Sequence, residues 1–501
     1  MNTLTDRIRC VLTTLLACGW PAVVWSQTTP IYTPHAWIDC SVSKCRPAEV
    51  LRYLLWSRES DKNECNALLK GGGVPSGTAN TTCSELIRIS GFAPIDEFNV
   101  VDGLTNFLNS QTSTFPIGTS SAGFALTATK SHENVLLSQS TGPLFVERAL
   151  TSGRNNWSVN FNWQRTHWAS LDGTSFDDFH TEEGFDSAAT DLGICRAANR
   201  NCPSQRWTSN VDFLTTTLVV GGTYGLTNRF DLGVSVPIIN AVLSGTSWRA
   251  NGYSMSTPQG SVQRTTSASG SAWGVADVSV RGKYNFIGPT AEYDRKLALS
   301  VKAEVRLDTG NHEKLIGSGK TQFKTALLGE FSNARWDPER LVNRLSPHFN
   351  LGYTSAGDGV RIRNAGTFGH NQYTADFDID LSNEFDYSIG IDVPLFTPGD
   401  QAGALTLAFD VIGRTLLHGA EFRNVVFLAA QGNSESQPFL FEQPYVTLLL
   451  GTFGFKARLG HSWLATANLL FPMSDKGVTP HPTVVVGVER AFFNRNPGKT
   501  P

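Results

Sequence analysis

The sequence predicts an all-β protein, an antiparallel transmembrane β-barrel of twelve strands preceded by a small, disulfide-bearing, partly helical N-terminal domain. Three observations predict it. In NWSVNFNWQR the residues Trp157, Val159, Phe161 and Trp163 alternate with Ser158, Asn160, Asn162 and Gln164, giving one apolar and one wholly polar strand face. KLALSVKAEVRLD repeats the design, with Leu297, Leu299, Val301, Ala303, Val305 and Leu307 on one face. Such segments recur at lengths suited to a tilted outer-membrane strand, which needs about 9–11 residues, whereas ordinary strands average about five or six. Their connections alternate between long polar stretches and short turns, as the two ends of an outer-membrane barrel require.

The elements follow in order. Residues 1–26 place Arg7 and Arg9 ahead of a short apolar run broken by Gly19 and Pro21 and ending at Ser26, the layout of an export signal. Leu15-Leu16-Ala17-Cys18 also resembles a lipoprotein cleavage box, which would place a lipid on Cys18. Residues 27–115 read as a periplasmic domain or a plug. In it, Pro47 starts a helix that puts Val50, Leu51, Leu54 and Leu55 on one face. A second helix is expected through DEFNVVDGLTNFLNS. Residues 116–154 form either a plug or one further spanning hairpin, IGTSSAGFALTA with GPLFVERAL, which would raise the strand count to fourteen.

The barrel is expected over 155–493, with strands near 155–168, 209–224, 230–243, 272–286, 295–309, 320–332, 345–356, 380–395, 403–416, 438–454, 461–472 and 481–493. Long polar connections at 169–208, 244–271, 355–380 and 417–437 would lie outside, with short turns such as Gly225 to Arg229 and both termini on the periplasmic side. Residues 494–501 form a tail. Aromatics cluster near the strand ends (Trp157, Tyr224, Phe230, Trp273, Phe286, Tyr353, Phe396, Tyr445, Phe471 and Phe492), where rings suit a membrane–water boundary.

Composition narrows the function class. The 501 residues carry a formal net charge of −3, with a pI of about 6.4 and a mean hydropathy of −0.16, and nothing marks a nucleic-acid binder. Six cysteines lie beyond the export signal: Cys40, Cys45, Cys65, Cys83, Cys195 and Cys202. An even number in an exported chain favours disulfides over zinc. Cys195 and Cys202 are expected to staple a loop, and the four earlier cysteines allow three pairings.

GSGKT at Gly317–Thr321 looks like the tail of a nucleotide-binding loop, yet Lys314 stands where the motif needs a glycine, and a strand pattern follows where a helix should begin. No nucleotide is expected. The glycines instead permit a tight reversal between two barrel strands. The acidic stretch Asp172 to Asp191 lacks the ligand spacing of a tight calcium loop, so no metal and no cofactor are predicted.

If the apolar faces meet lipid, the polar faces line a lumen. Arg281, Lys283, Lys302, Arg306 and Lys324 then turn inward alongside Asp277, Glu304, Asp308 and Glu330, while Glu384, Asp386, Asp392 and Asp410 turn inward with Arg414. Two readings stand level: a basic wall facing an acidic one, which would orient polar solutes, or ion pairs that brace a narrow barrel. An enzyme is not expected. The histidines are scattered, and neither GxSxG nor HExxH occurs.

Four stretches also carry a resemblance: LNSQTSTFPIGTSSAGF (108–124), GPLFVERALTSGR (142–154), RLDTGNHEKLIGSG (306–319) and GVERAFF (487–493). Together they resemble bacterial outer-membrane barrels described as transporters of the phenol meta-degradation pathway, a group distantly akin to the long-chain fatty-acid channel. The resemblance implies passage of small molecules, hydrophobic or aromatic ones among them, through a barrel in the Gram-negative outer membrane. It also implies that Phe492 or Phe493 supplies the terminal aromatic read by the barrel-insertion machinery. The expected partners are therefore membrane lipid, that machinery and a small solute. The rival reading is a surface-binding or structural barrel whose long loops hold a partner and pass nothing.

Overall fold

The computed structural model describes residues 40, 44–55, 108–109, 111–112, 126–128, 134–136, 145–183, 204–253, 261–288, 296–331, 345–356, 360–368, 371–379, 383–396, 405–417, 445–460 and 462–493. Outside these lie the expected export signal with Cys18, most of the second expected helix, Cys65, Cys83, Cys195, Cys202 and the 494–501 tail. Cys40 and Cys45 are disulfide-bonded to each other, which among the described residues settles one of the expected pairings.

Twelve antiparallel strands close on themselves. They are β1 (Trp157–Leu171), β2 (Ser204–Gly225), β3 (Phe230–Tyr253), β4 (in two pieces, Ser261–Val275 and Ser279–Ile287), β5 (Leu297–Arg306) and β6 (Gln322–Phe331), followed by β7 (Ser346–Ser355), β8 (Glu384–Phe396), β9 (Leu405–Leu416), β10 (Val446–Leu459), β11 (Trp463–Pro472) and β12 (Thr483–Phe492). Each pairs with its sequence neighbour, and β12 returns to β1, with Phe492 opposite Trp157 and Val485 opposite Gln164. Closure leaves no unpaired strand edge within the ring, the condition for putting a sheet in lipid.

The alternation sets the register. Ser158, Asn160, Asn162, Gln164 and Thr166 are buried, whereas Trp157, Phe161 and Trp163 are exposed. The apolar face of an isolated soluble domain would be hidden; here it is the outside of the ring, and it continues through Leu232, Val234, Val280, Leu327, Ile389, Phe453 and Val486. Ten residues at about 3.3 Å each, tilted by about 40°, cover roughly 25 Å, the height of an outer-membrane apolar band.

Most strands fall within a few residues of their expected places, and three differ. β3 runs past its expected end at 243, to Tyr253, and pairs with Ser261–Val275, so the expected polar connection 244–271 is largely strand. The expected connection 355–380 likewise holds a hairpin, Val360–Phe368 with Asn371–Ile379. The expected strand 272–286 is interrupted: Ser261–Val275 continues the register against β3, three residues step out, and Ser279–Ile287 resumes pairing with β3 and begins pairing with β5. The expected strand 438–454 lies at Val446–Leu459, because the apolar alternation of LLLGTFGFKA runs past the glycines, which a strand tolerates where partner backbones are close. The count of twelve displaces the alternative of fourteen. Leu126–Ala128 and Asn134–Leu136 pair only with each other and are three residues long, and Phe145–Leu150 contains no strand.

Inside the ring the two halves differ. The terminal half, where β1 begins and β12 ends, is polar. The far half holds an apolar core built from Trp168, Leu171, Phe213, Leu243, Leu448 and Leu470, joined by helix α1 (Pro47–Leu55). Glu49 caps the start of α1 by accepting the Arg46 backbone N–H at 2.7 Å. Ala48, Val50, Leu51 and Leu54 are buried on its packed face. Gly270 on β4 permits this approach, since a Cβ there would stand 2.5 Å from the Cys45 carbonyl oxygen and 2.7 Å from Val50 Cγ2.

Candidate functional site in the barrel lumen

The residues between Phe145 and Asn156 cross the polar half of the lumen as an irregular strap. Irregular backbone at this depth must find hydrogen-bond partners on the wall, because water is scarce there. It finds them on many strands. The Phe145 N–H donates to Asp410 Oδ2 on β9 at 3.1 Å. The Asn350 side chain on β7, oriented so that both ends of its amide are satisfied, accepts from the Glu147 N–H at 2.8 Å and donates to the Glu147 carbonyl at 3.1 Å. Lys283 Nζ on β4 donates to the carbonyls of Arg148 at 3.1 Å and Leu150 at 2.8 Å. Asn285 donates to the Ala149 carbonyl at 3.1 Å, and Ser300 on β5 donates to the same oxygen. The Ser152 N–H donates to Asp231 on β3 at 3.0 Å.

Side chains of the strap add charge pairs. Glu147 meets Lys302 Nζ at 2.9 Å, with Arg281 at 3.8 Å, and Arg148 meets Glu330 on β6 at 2.9 Å. These groups are almost wholly out of water. A buried charge is tolerable only when paired, so each strap charge fixes the position of its partner on the wall.

Beyond the strap, on the wall of β5 to β9, Glu304 lies 3.1 Å from Lys302, and Lys324 lies 2.8 Å from Asp386, which also accepts from Thr354 at 3.0 Å. Arg414 grips Glu384 through both of its edges, Nε donating to Oε2 at 2.7 Å and Nη2 to Oε1. Arg306 donates to Gln322 at 3.0 Å and stands 3.9 Å from Glu304. Glu304, Arg306, Gln322, Lys324, Thr354, Glu384 and Asp386 enclose a polar cavity of about 30 Å³, room for a water or two.

A third group joins strands on the far side of the strap's first residue. His348 on β7 places Nε2 2.8 Å from Asp410 and Nδ1 3.3 Å from Asp392. All three side chains are almost fully buried. Asp410 thus holds the histidine with one oxygen and the strap with the other.

Twelve of the fourteen expected lumen residues lie on the inward faces of strands, whereas Asp277 stands in the break of β4 and Asp308 past the end of β5. The structure brings Arg281, Lys283 and Lys302 together around the strap, Glu304, Arg306, Lys324, Glu384, Asp386 and Arg414 around the cavity, and Asp392 and Asp410 around His348. Opposite charges pair with neighbours on the same wall rather than across an open bore. Sequence reasoning missed the partners that the strap supplies, Glu147 and Arg148, and the role of Asp231. A signal was present: GPLFVERAL carries adjacent opposite charges in an apolar segment, which a buried segment tolerates only with partners. GSGK forms a loop folded over Asp277, which accepts from the Gly310 N–H at 2.9 Å and the Ser318 N–H at 2.7 Å.

A closed antiparallel ring with an apolar exterior and a polar, charge-paired interior defines a transmembrane β-barrel. No protein-family model matches the chain, and no match is found among curated proteins. Among solved structures, the chain is similar to an outer membrane channel from Pseudomonas putida F1, at 10% identity and a TM-score of 0.36, covering 68% of this chain and 96% of that one. It is also similar to the CymD monoaromatic hydrocarbon channel, at 6% identity and a TM-score of 0.30, covering 69% and 90% of the two chains. The translocator domain of the autotransporter NalP from Neisseria meningitidis matches at 10% identity and a TM-score of 0.24, over 68% and 90%. Likeness at this level says nothing of substrate.

Proposed function

We propose that the protein is a gated channel of the Gram-negative outer membrane for small molecules, hydrophobic or aromatic ones among them, with the ends of the barrel chain on the periplasmic side. The observation that carries this reading is the strap. Its backbone and charged side chains engage inward residues of β3, β4, β5, β6, β7 and β9. A barrel needs no such crossing segment to close its sheet, and this one is held by discrete polar ties together with the packing of Ala149 and Leu150 against Ala298, Ala326 and Leu328, a set of contacts suited to a gate that opens and recloses.

In this reading the strap is the inner gate and the charged wall from Lys302 to Arg414 is the path beside it. Apolar packing around α1 supports a hydrophobic route through the far half, since an apolar solute replaces side-chain contacts there without unmet polar groups. The barrel has no catalytic role in this account.

Reconstitution tests it. Liposomes containing the purified protein are expected to admit a phenolic solute faster than a sugar of similar size, with a small ion conductance. Equal exclusion of both solutes by a correctly folded barrel would overturn transport and leave the surface-binding role in its place.

A further inference from the structure

The outward face of β12 carries one residue that a lipid-facing strand does not ordinarily tolerate, Arg490. It alternates with Glu489 and Ala491, both buried inward, and so projects from the ring. Its neighbours in register are apolar: Val159 on β1 and Trp463 on β11. The guanidinium carbon lies 5.1 Å from the Trp463 ring centroid and 4.8 Å from that of Phe492. Phe492 is in turn stacked on Trp157, with ring centroids 3.9 Å apart and an interplanar angle of 6°.

This arrangement fixes the cation at a defined depth. Trp157 opens β1, Trp463 opens β11 and Phe492 closes β12, so the cluster sits at the terminal rim, where an aromatic belt meets the headgroup layer. Cationic side chains on the lipid face are costly at mid-membrane and tolerated near the interface. Both rings stand within cation–π distance of the guanidinium and offer its N–H donors no hydrogen-bond acceptor in their plane. Among the described residues, neither a carboxylate nor a hydrogen-bond acceptor meets the Arg490 guanidinium. A planar fork of N–H donors held beside two rings at headgroup depth fits the paired oxygens of a phosphodiester.

We propose that Arg490, ordered by Trp463 and Phe492, binds the phosphate of a phospholipid headgroup in the leaflet at the terminal rim. The proposal rests on the membrane reading of the barrel and is independent of what the lumen passes. The site anchors the seam where β12 meets β1, the one pairing of the ring made between its first and last strands.

The test uses the full-length purified protein. Native mass spectrometry would count retained dihexanoyl phosphatidylglycerol, with dihexanoylglycerol as the same chains without phosphate and inorganic phosphate as the free anion. The wild type is expected to hold at least one phosphatidylglycerol with roughly tenfold preference over the diacylglycerol, a preference lost in Arg490→Gln and reduced in Arg490→Lys, which keeps the charge but not the fork. Equal retention of both lipids by the wild type would overturn the proposal without any variant being needed. Competition by inorganic phosphate as effective as by lipid would overturn it too, by making the site one for free anions. Arg490→Gln is expected to conduct in bilayers as the wild type does, so loss of the lipid site and failure of the channel reading are separable.

Discussion

Arg148 and Glu330 meet at 2.9 Å in the barrel interior, with side chains 2% and 1% exposed. One belongs to the crossing strap and the other to β6, so the pair ties the irregular segment to the wall. Removing one member leaves a buried charge unmatched, which costs about 3–5 kcal/mol, whereas removing both removes that penalty. Glu330→Gln alone is expected to lower the denaturation midpoint markedly, and Arg148→Met with Glu330→Leu to recover most of it. A midpoint insensitive to Glu330→Gln would mean that the strap is not held by this contact.

Gly390 on β8 leaves the space in which His348 meets Asp410. A Cβ there would collide with His348 Nε2 and Asp410 Oδ1 as well as the Phe409 carbonyl. Gly390→Ala should therefore destabilise the barrel by about 1–3 kcal/mol, the usual cost of overpacking. It should also weaken the hold of Asp410 on the Phe145 N–H, read as faster proteolysis near residue 145. Wild-type stability in this variant would contradict the tight fit.

The glycines of the GSGK loop have a packing role. A Cβ on Gly317 would stand 2.6 Å from Gly310 Cα and 2.9 Å from Asp277 Oδ1, and Gly319 has φ of +75°. Gly317→Ala is expected to loosen the loop, seen as earlier protease cleavage between 309 and 320. ATP at millimolar concentration should shift the melting temperature of neither protein; a shift in the wild type would revive the nucleotide reading.

Asp308, at the rim beyond β5, gives a pH dependence with a definite sign. Burial and, next, the nearby Asp277 carboxylate raise its pKa above the usual 3.8, partly offset by His312. A carboxyl whose folded pKa is raised binds its proton more tightly in the folded state, so its contribution is present below the unfolded pKa and is lost as pH rises through the folded one. Asp308→Asn should therefore raise the melting temperature at pH 7 and leave it unchanged near pH 3. The gain is small and falls with salt, because the group is largely exposed to solvent. A loss of stability at pH 7 would contradict the assignment.

Much of the barrel was legible because a period of two is a local signal. Ser158 to Gln164 against Trp157 to Trp163 declares both the strand and its orientation, and the same parity turns Lys302, Asp386 and Asp410 inward. The charged positions were legible as inward and illegible as pairs. Lys324 reaches Asp386 across β7, and the strap reaches β6 through Arg148, contacts that depend on tertiary placement over separations of 62 and 182 residues. GPLFVERAL is ambiguous in sequence for the same reason: short apolar runs read alike as strand or buried coil, and only the partners of Glu147 and Arg148 decide. The break at Ala276–Val278 carries no pattern of its own; Asp277 is explained by the loop it caps.

The measurement that bears most directly on the central claim is bilayer conductance of the wild type beside Glu147→Gln with Glu330→Gln, each first shown to be a folded barrel by heat-modifiable mobility. A small, flickering conductance is expected in the wild type and a several-fold larger, steadier one in the variant, whose strap has lost the Glu147–Lys302 and Arg148–Glu330 ties to the wall. Equal conductance in the two folded proteins, or none in either, would contradict a lumen gated by the strap.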